Sequence, residues 1–209
     1  MKRDYSPTMR RSALALVAVT FAVTLVGTAL AADRFERHRV PGQGLSLAVP
    51  ASWIAVDATL PDATIARLRR ENPKLAPYLG QLSGAGSAAK FLALDPAVQG
   101  GFATNVNVVV APIPSVTFEV YRAAIVREIQ SLVGSARVDH RPVTVNGARG
   151  VRLAYPFRIT VGRTYTVSTL QYAFPRAGRS VVVTYTTLPR LQGRYAATFA
   201  RSASSIRFS

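Results

Sequence analysis

Two histidines, ten carboxylates and no cysteine are what this 209-residue chain offers to acid–base, metal or thiol chemistry. His38 and His140 are remote from each other, and neither stands at the short spacing with which side chains share a metal. Asp139 beside His140 has the composition of a catalytic pair. Neighbours on a strand point to opposite faces, however, so these two cannot hydrogen-bond as one unit, and His140 reads as a satisfied or edge histidine. There is no Gly-x-Ser-x-Gly elbow, and Asp57, Asp62, Asp95, Glu119 and Glu128 are scattered without the spacing of an acid–base pair. The sequence thus assigns no catalytic residue, no metal ligand and no cofactor, and leaves open only a site assembled by tertiary contacts. The absence of cysteine removes disulfides, thiolate zinc sites, thiol catalysis and lipid attachment at a lipobox cysteine.

One stretch imitates a nucleotide site. Gly84-Ala85-Gly86-Ser87-Ala88-Ala89 superficially matches a fingerprint whose glycines let backbone amides approach a pyrophosphate. That motif must follow a strand and open a helix. Here it follows helical sequence and precedes the apparent strand Lys90 to Asp95, so it reads as a flexible linker.

Charge is the stronger signal. The chain carries 26 Lys and Arg against 10 Asp and Glu, a formal net charge of +16, and nearly all of the excess is Arg. In a cytosolic protein this balance would point first to nucleic acid. The first segment redirects it. Lys2, Arg3, Arg10 and Arg11 precede an uncharged run from Ser12 to Ala32, and Ala29-Leu30-Ala31 provides small residues at the spacing of a cleavage site. Residues 1–31 are therefore expected to be a signal peptide, with an uncleaved anchor as the alternative because the run approaches the roughly 20 residues that span a bilayer. Arg10-Arg11 lacks the bulky apolar pair that follows a twin-arginine signal, so general secretion is the expected route. Without residues 1–31, 22 basic and 9 acidic residues remain, a formal charge of +13. For an exported chain the expected partners are an anionic envelope lipid or polymer, or an acidic protein, and not nucleic acid. An Arg-rich surface that serves only solubility is the competing reading.

The elements that would position any site are legible from periodicity. At 49% apolar and 17% charged the 209-residue chain has a globular composition, and residues 32–209 are expected to form a single domain. Leu45, Leu47 and Val49 line one side of a short strand stopped by Pro50, with Trp53 beyond it as a core residue. Asp62 to Leu82 alternates helical stretches with breaks at Asn72-Pro73 and Pro77, and Ile65 and Leu68 share a face. Thr104 to Ile113 reads as a strand with Val106, Val108 and Val110 on one side. Thr117 to Leu132 reads as a helix whose stripe is Phe118, Tyr121, Ile125, Ile129 and Leu132, with Gly134 as its stop. Leu191, Tyr195 and Phe199 mark a last helix from about Arg190 to Ser205.

Arg137 to Thr187 reads as four consecutive strands and is the expected centre of the fold. Asn146-Gly147 is the preferred pair for a turn that needs φ > 0 at both central residues. Beyond it Val151, Leu153, Tyr155, Phe157 and Ile159 alternate with Arg152, Ala154, Pro156 and Arg158. Gly162-Arg163 and Arg176-Ala177-Gly178 are expected turns, and the β-branched run VVVTYTT suits a central strand. A two-residue turn pairs Val145 with Ala148, Arg141 with Arg152 and Asp139 with Ala154. Arg137, Asp139, Arg141 and Arg152 then share one face with Arg158 farther along. Like charges directly opposite repel, so either Asp139 or an external anion must serve as counterion. Arg137, Arg141, Arg152 and Arg158 are the candidate binding residues.

The segments GLSLAVPASW, PVTVNGARGVRLAYPF and GRTYTVSTLQYAFPRAGRSVVVTYTTLP, with a terminal helix ending SSIRFS, together resemble the PsbP-like fold. Within it, they look like the LpqN-type actinobacterial envelope lipoproteins. The resemblance covers most of Arg37 to Ser209. It implies an α+β domain in which an antiparallel sheet of about six to seven strands is sandwiched by helices. It also implies a binding or accessory role without catalytic residues. Where such lipoproteins have a lipidated cysteine this chain has GTALAAD, which leaves release, or membrane association through an uncleaved first segment. The alternative function is an envelope hydrolase or lipid carrier, with a site between the Asp62 to Leu82 segment and the sheet.

Overall fold

In the computed structural model the residues described are 34–79 and 89–209. The expected leader and the Gly84 to Ala88 part of the expected linker lie outside them. Among the described residues no helix is long and apolar enough to cross a membrane.

Seven strands form one antiparallel sheet in the order β3-β4-β5-β9-β8-β7-β6. They are β3 (Ile54–Asp57), β4 (Ala89–Leu94), β5 (Asn105–Pro112), β6 (Asp139–Val145), β7 (Ala148–Val161), β8 (Arg163–Arg176) and β9 (Arg179–Thr187). The VVVTYTT run is the central strand β9, as its composition requires, with Val181, Val183 and Tyr185 turned into the core. A second, three-stranded sheet places β2 (Leu45–Pro50) between β1 (Phe35–Val40) and β10 (Arg207–Phe208). The expected count of six to seven strands holds for the large sheet. The small sheet is an addition to it.

Helices cover both faces of the large sheet. On one face, α1 (Asp62–Glu71) and α2 (Ala76–Leu79) bury Ile65, Tyr78 and Leu79 against Leu92, Leu94 and Val167. Beside them α3 (Phe118–Val133) buries Tyr121, Ile125 and Ile129 against Val151, Leu153 and Tyr155. On the other face lie α4 (Gln192–Ser204), entered through a 3-10 turn at Pro189–Leu191, and the small sheet. Tyr195, Phe199, Leu47 and Val49 join Phe174, Val181 and Val183 there, with Trp53 set edge-on to Tyr195 at 6.4 Å. Full burial of each such side chain stabilises the fold by roughly 1.5–3 kcal/mol relative to exposure.

Two local expectations are corrected. Leu132 is 55% exposed, and Val133 packs in its place. The reason is helical spacing: the residue four beyond Ile129 is Val133, and Gly134, at φ 63°, ends the helix immediately afterwards. The turn after β7 is centred on Gly162 alone, at φ 71°, because Arg163 already pairs with Val161 as the first residue of β8.

The β6–β7 hairpin has the register its turn dictates, with Val145, Arg141 and Asp139 opposite Ala148, Arg152 and Ala154. Asn146 and Gly147 take φ of 46° and 79°. Asn146 does more than turn the chain: its Nδ2 donates to the carbonyls of Ser204 at 2.9 Å and Ile206 at 2.7 Å, fastening the hairpin to the end of α4. Asn146→Ala is expected to cost about 1–2 kcal/mol, because it loses both bonds and strains the turn. Asn146→Gly, which accepts the positive φ, separates the two contributions in denaturant melts.

Candidate functional site

The outer part of the sheet, on the α4 side, is left open. Beyond β8 neither α4 nor the small sheet covers the large sheet completely, so β7 and the edge strand β6 face a groove walled by α4. The groove, of about 300 Å³, is lined by Arg141, Arg152 and Ala154 of the hairpin and by Leu170 and Tyr172 of β8. Gln192, Ala196 and Ala200 of α4 form the opposite wall. These three follow one another at the four-residue spacing of a helix face, one position on from the buried row Leu191, Tyr195 and Phe199. The small side chains of Ala196 and Ala200 keep the helix wall back from the sheet.

Strand alternation explains why the arginines are here. The hairpin's other face carries Val151, Leu153 and Tyr155 and is filled by α3, so Arg141 and Arg152 must take the open side. They are directly opposite on paired strands, where two like charges repel. Asp139 answers one of them. Its Oδ2 lies 3.2 Å from Nη1 of Arg152, whose side chain is only 22% exposed. Among the described residues Arg141 has no ion-pair partner, so the groove keeps net positive charge.

Arg137 and Asp139 border an adjoining hollow of about 330 Å³, which shares Ala154, Ser168 and Gln192 with the groove. Between the two hollows Ser168 Oγ and Gln192 Oε1 are hydrogen-bonded at 3.1 Å. Arg158 does not join the other three. It lies six residues from Arg152 along β7, roughly 20 Å away, in a separate depression with Leu132, Val133 and Ala136. Three of the four sequence-derived arginines therefore come together, and Arg158 stands apart. The residues of α4 were not foreseen, because only tertiary packing brings them opposite the hairpin.

The arrangement can hold an anion but offers little to a proton-transfer step. The one carboxylate of these two hollows is held by Arg152, and no histidine lines them. His140 is exposed on the edge strand, opposite Leu153, while Asp139 points to the other side. Among the described residues no group of three or more His, Asp or Glu could hold a metal ion. The space suggested for a buried site, between α1, α2 and the sheet, is packed with Leu75, Tyr78, Leu79 and Phe102. The hydroxyl of Tyr78 there accepts the N–H of Ala103 at 2.8 Å.

No family model matches this chain, and no curated protein matches it in sequence. Solved structures do resemble it. The cyanobacterial PsbP of Synechocystis sp. PCC 6803 is similar over 87% of this chain and 96% of its own, at 16% identity and a TM-score of 0.49. LpqN of Mycobacterium tuberculosis, a protein involved in cell envelope biogenesis, is similar over 86% and 87% respectively, at 10% identity and a TM-score of 0.48. Both are proteins to which the sequence resemblance pointed. At such identities nothing about ligand or activity transfers, and the α+β architecture rests on the strand order described above.

Proposed function

We propose that the protein is an exported, non-catalytic binding module of the cell envelope, and that its groove takes an anionic envelope lipid or polymer. The observation that carries this reading is the directly opposed pair Arg141 and Arg152, only one of which has a carboxylate partner. An anion bridging both guanidiniums would relieve their repulsion and form charge-assisted, bidentate hydrogen bonds. Leu170, Tyr172 and the alanines of α4 offer apolar surface beside that charge, which suits a ligand with both an anionic group and an apolar portion. Export rests on the basic first segment and its Ala-x-Ala site.

The test is binding of the purified protein to vesicles containing phosphatidylglycerol and to anionic wall polymer. Arg141→Gln together with Arg152→Gln is expected to weaken binding about 10- to 100-fold, the range of one charge-assisted hydrogen bond. Wild-type binding should also weaken with added salt, as the Debye length contracts from about 8 Å at physiological ionic strength to roughly 3 Å at 1 M. Undiminished binding by a folded double variant would discard the groove.

A further inference from the structure

The small sheet carries a second group of arginines, on the side turned away from the large sheet. Along β1, His38 points inward, its ring 5.6 Å from that of Phe91. By alternation Arg37 and Arg39 point outward. Arg39 of β1 and Arg207 of β10 are both registered directly opposite Ser46, one on each side of β2. Strand spacing places their Cα atoms about 10 Å apart, with the serine hydroxyl between them. Arg37 stands one pleat along and is held in place: its Nη1 donates to Ser46 Oγ and to the carbonyl of Ser205, each at 3.0 Å. The three arginines and Ser46 line a hollow of about 570 Å³.

Among the described residues no Asp or Glu is ion-paired with this cluster. Arg67, Arg122, Arg149 and Arg152 form ion pairs with Glu or Asp, whereas Arg37, Arg39 and Arg207 form none among the described residues. Glu36, adjacent to Arg37 in sequence, lies on the opposite side of β1. The groove, by contrast, has Asp139. A guanidinium presents five N–H donors in a planar fork, and the Nη1 bonds of Arg37 leave its other nitrogens unspent. Three forks around one hydroxyl can engage three oxygens of a tetrahedral anion, one more than a carboxylate presents.

We propose that Arg37, Arg39 and Arg207 around Ser46 form a binding site for a phosphate group, distinct from the groove and independent of its assignment. The group can come from inorganic phosphate or from a phospholipid headgroup, and the test separates the two. The full chain is titrated with inorganic phosphate at constant ionic strength. In parallel it is mixed with vesicles of phosphatidylcholine, with and without phosphatidylglycerol. The variant is Arg39→Gln with Arg207→Gln, both exposed and both free of the bond to Ser205, so its melting temperature should match the wild type.

The wild type is expected to bind phosphate, phosphatidylglycerol vesicles or both, and the variant to lose at least about tenfold in affinity for whichever binds. Binding to free phosphate identifies the soluble source, and binding to phosphatidylglycerol vesicles alone identifies the headgroup. Phosphate affinity should be untouched by Arg141→Gln with Arg152→Gln, which keeps this result separate from the fate of the groove. Absence of binding to either probe, or binding by the folded variant equal to that of the wild type, overturns the site.

Discussion

Gly150→Ala is expected to destabilise the domain by about 3 kcal/mol, near the upper end of what one inserted methyl costs in a packed core. A Cβ at Gly150 would stand 2.5 and 2.7 Å from Cδ1 and Cε1 of Phe174, and 2.8 Å from the carbonyl oxygen of Ala173. The carbonyl belongs to the paired strand β8 and cannot withdraw without breaking the ladder. Nor can the ring swing aside: Phe174 is fully buried, with Phe208 set edge-on at 5.2 Å. Denaturant unfolding measures the loss. Adding Phe174→Leu should recover part of it in the Gly150→Ala background, since the two changes share one space. A Gly150→Ala protein within about 0.5 kcal/mol of wild type would show that β7 and β8 yield more readily than their packing implies.

Alkali should unfold the protein over a narrow range. Burial raises the hydroxyl pKa of Tyr78, Tyr121, Tyr155, Tyr185 and Tyr195. Tyr155 is pushed up to about 12 by burial first and then by the charge of Glu128, while its hydroxyl donates to Gln171 Oε1 at 2.5 Å. Tyr195 also reaches about 12, through burial and then its hydrogen bond to Asp95. Tyr185 is raised further still, enclosed in the core with Ser202 Oγ at 3.0 Å.

The folded state therefore retains protons that the unfolded chain has released. This stabilisation is fully present below pH 10 and is lost as pH rises towards and through 12. A two-unit shift at Tyr155 alone corresponds to about 2.7 kcal/mol, a large fraction of the 5–15 kcal/mol typical of a domain. Tyrosinate absorbance and ellipticity should change together in one cooperative step near pH 11 to 12. Independent ionisation of these tyrosines near pH 10, with the fold intact, would contradict their burial. Tyr155→Phe should make the decline shallower.

The parts of the fold that the sequence declares are those where local pattern and tertiary burial agree. Asn146-Gly147 sets a turn, the turn sets a register, and the register places Arg141 opposite Arg152 without any knowledge of the rest of the molecule. The alternation of β7 persists because α3 covers one side of it and the groove lies on the other. The small sheet was not declared, for equally physical reasons. Phe35 to Val40 has arginines on one side and His38 and Glu36 on the other, so β1 shows no apolar face. Residues Arg207 and Phe208 are too few to carry a period at all. Both strands exist because β2, whose alternating side is buried, offers two edges to them. The same limit governs the sites. Arg141 and Arg152 share a hairpin and could be read together, whereas Arg39 and Arg207 meet only through Ser46.

The small sheet also sets an order on events. Its middle strand takes one partner from the start of the domain and the other from its last described residues, and Arg37 grips the carbonyl of Ser205 across 168 positions. Ile206, fully buried among Leu47 and Val49, must arrive before that layer of the core is filled. A chain delivered from its amino end would thus hold β1 and β2 without their clasp until residues 205–208 follow, and could not close prematurely around an incomplete core. Contacts of such long separation fold slowly. For the export proposed above, such slow closure would keep the chain threadable until its far end has followed.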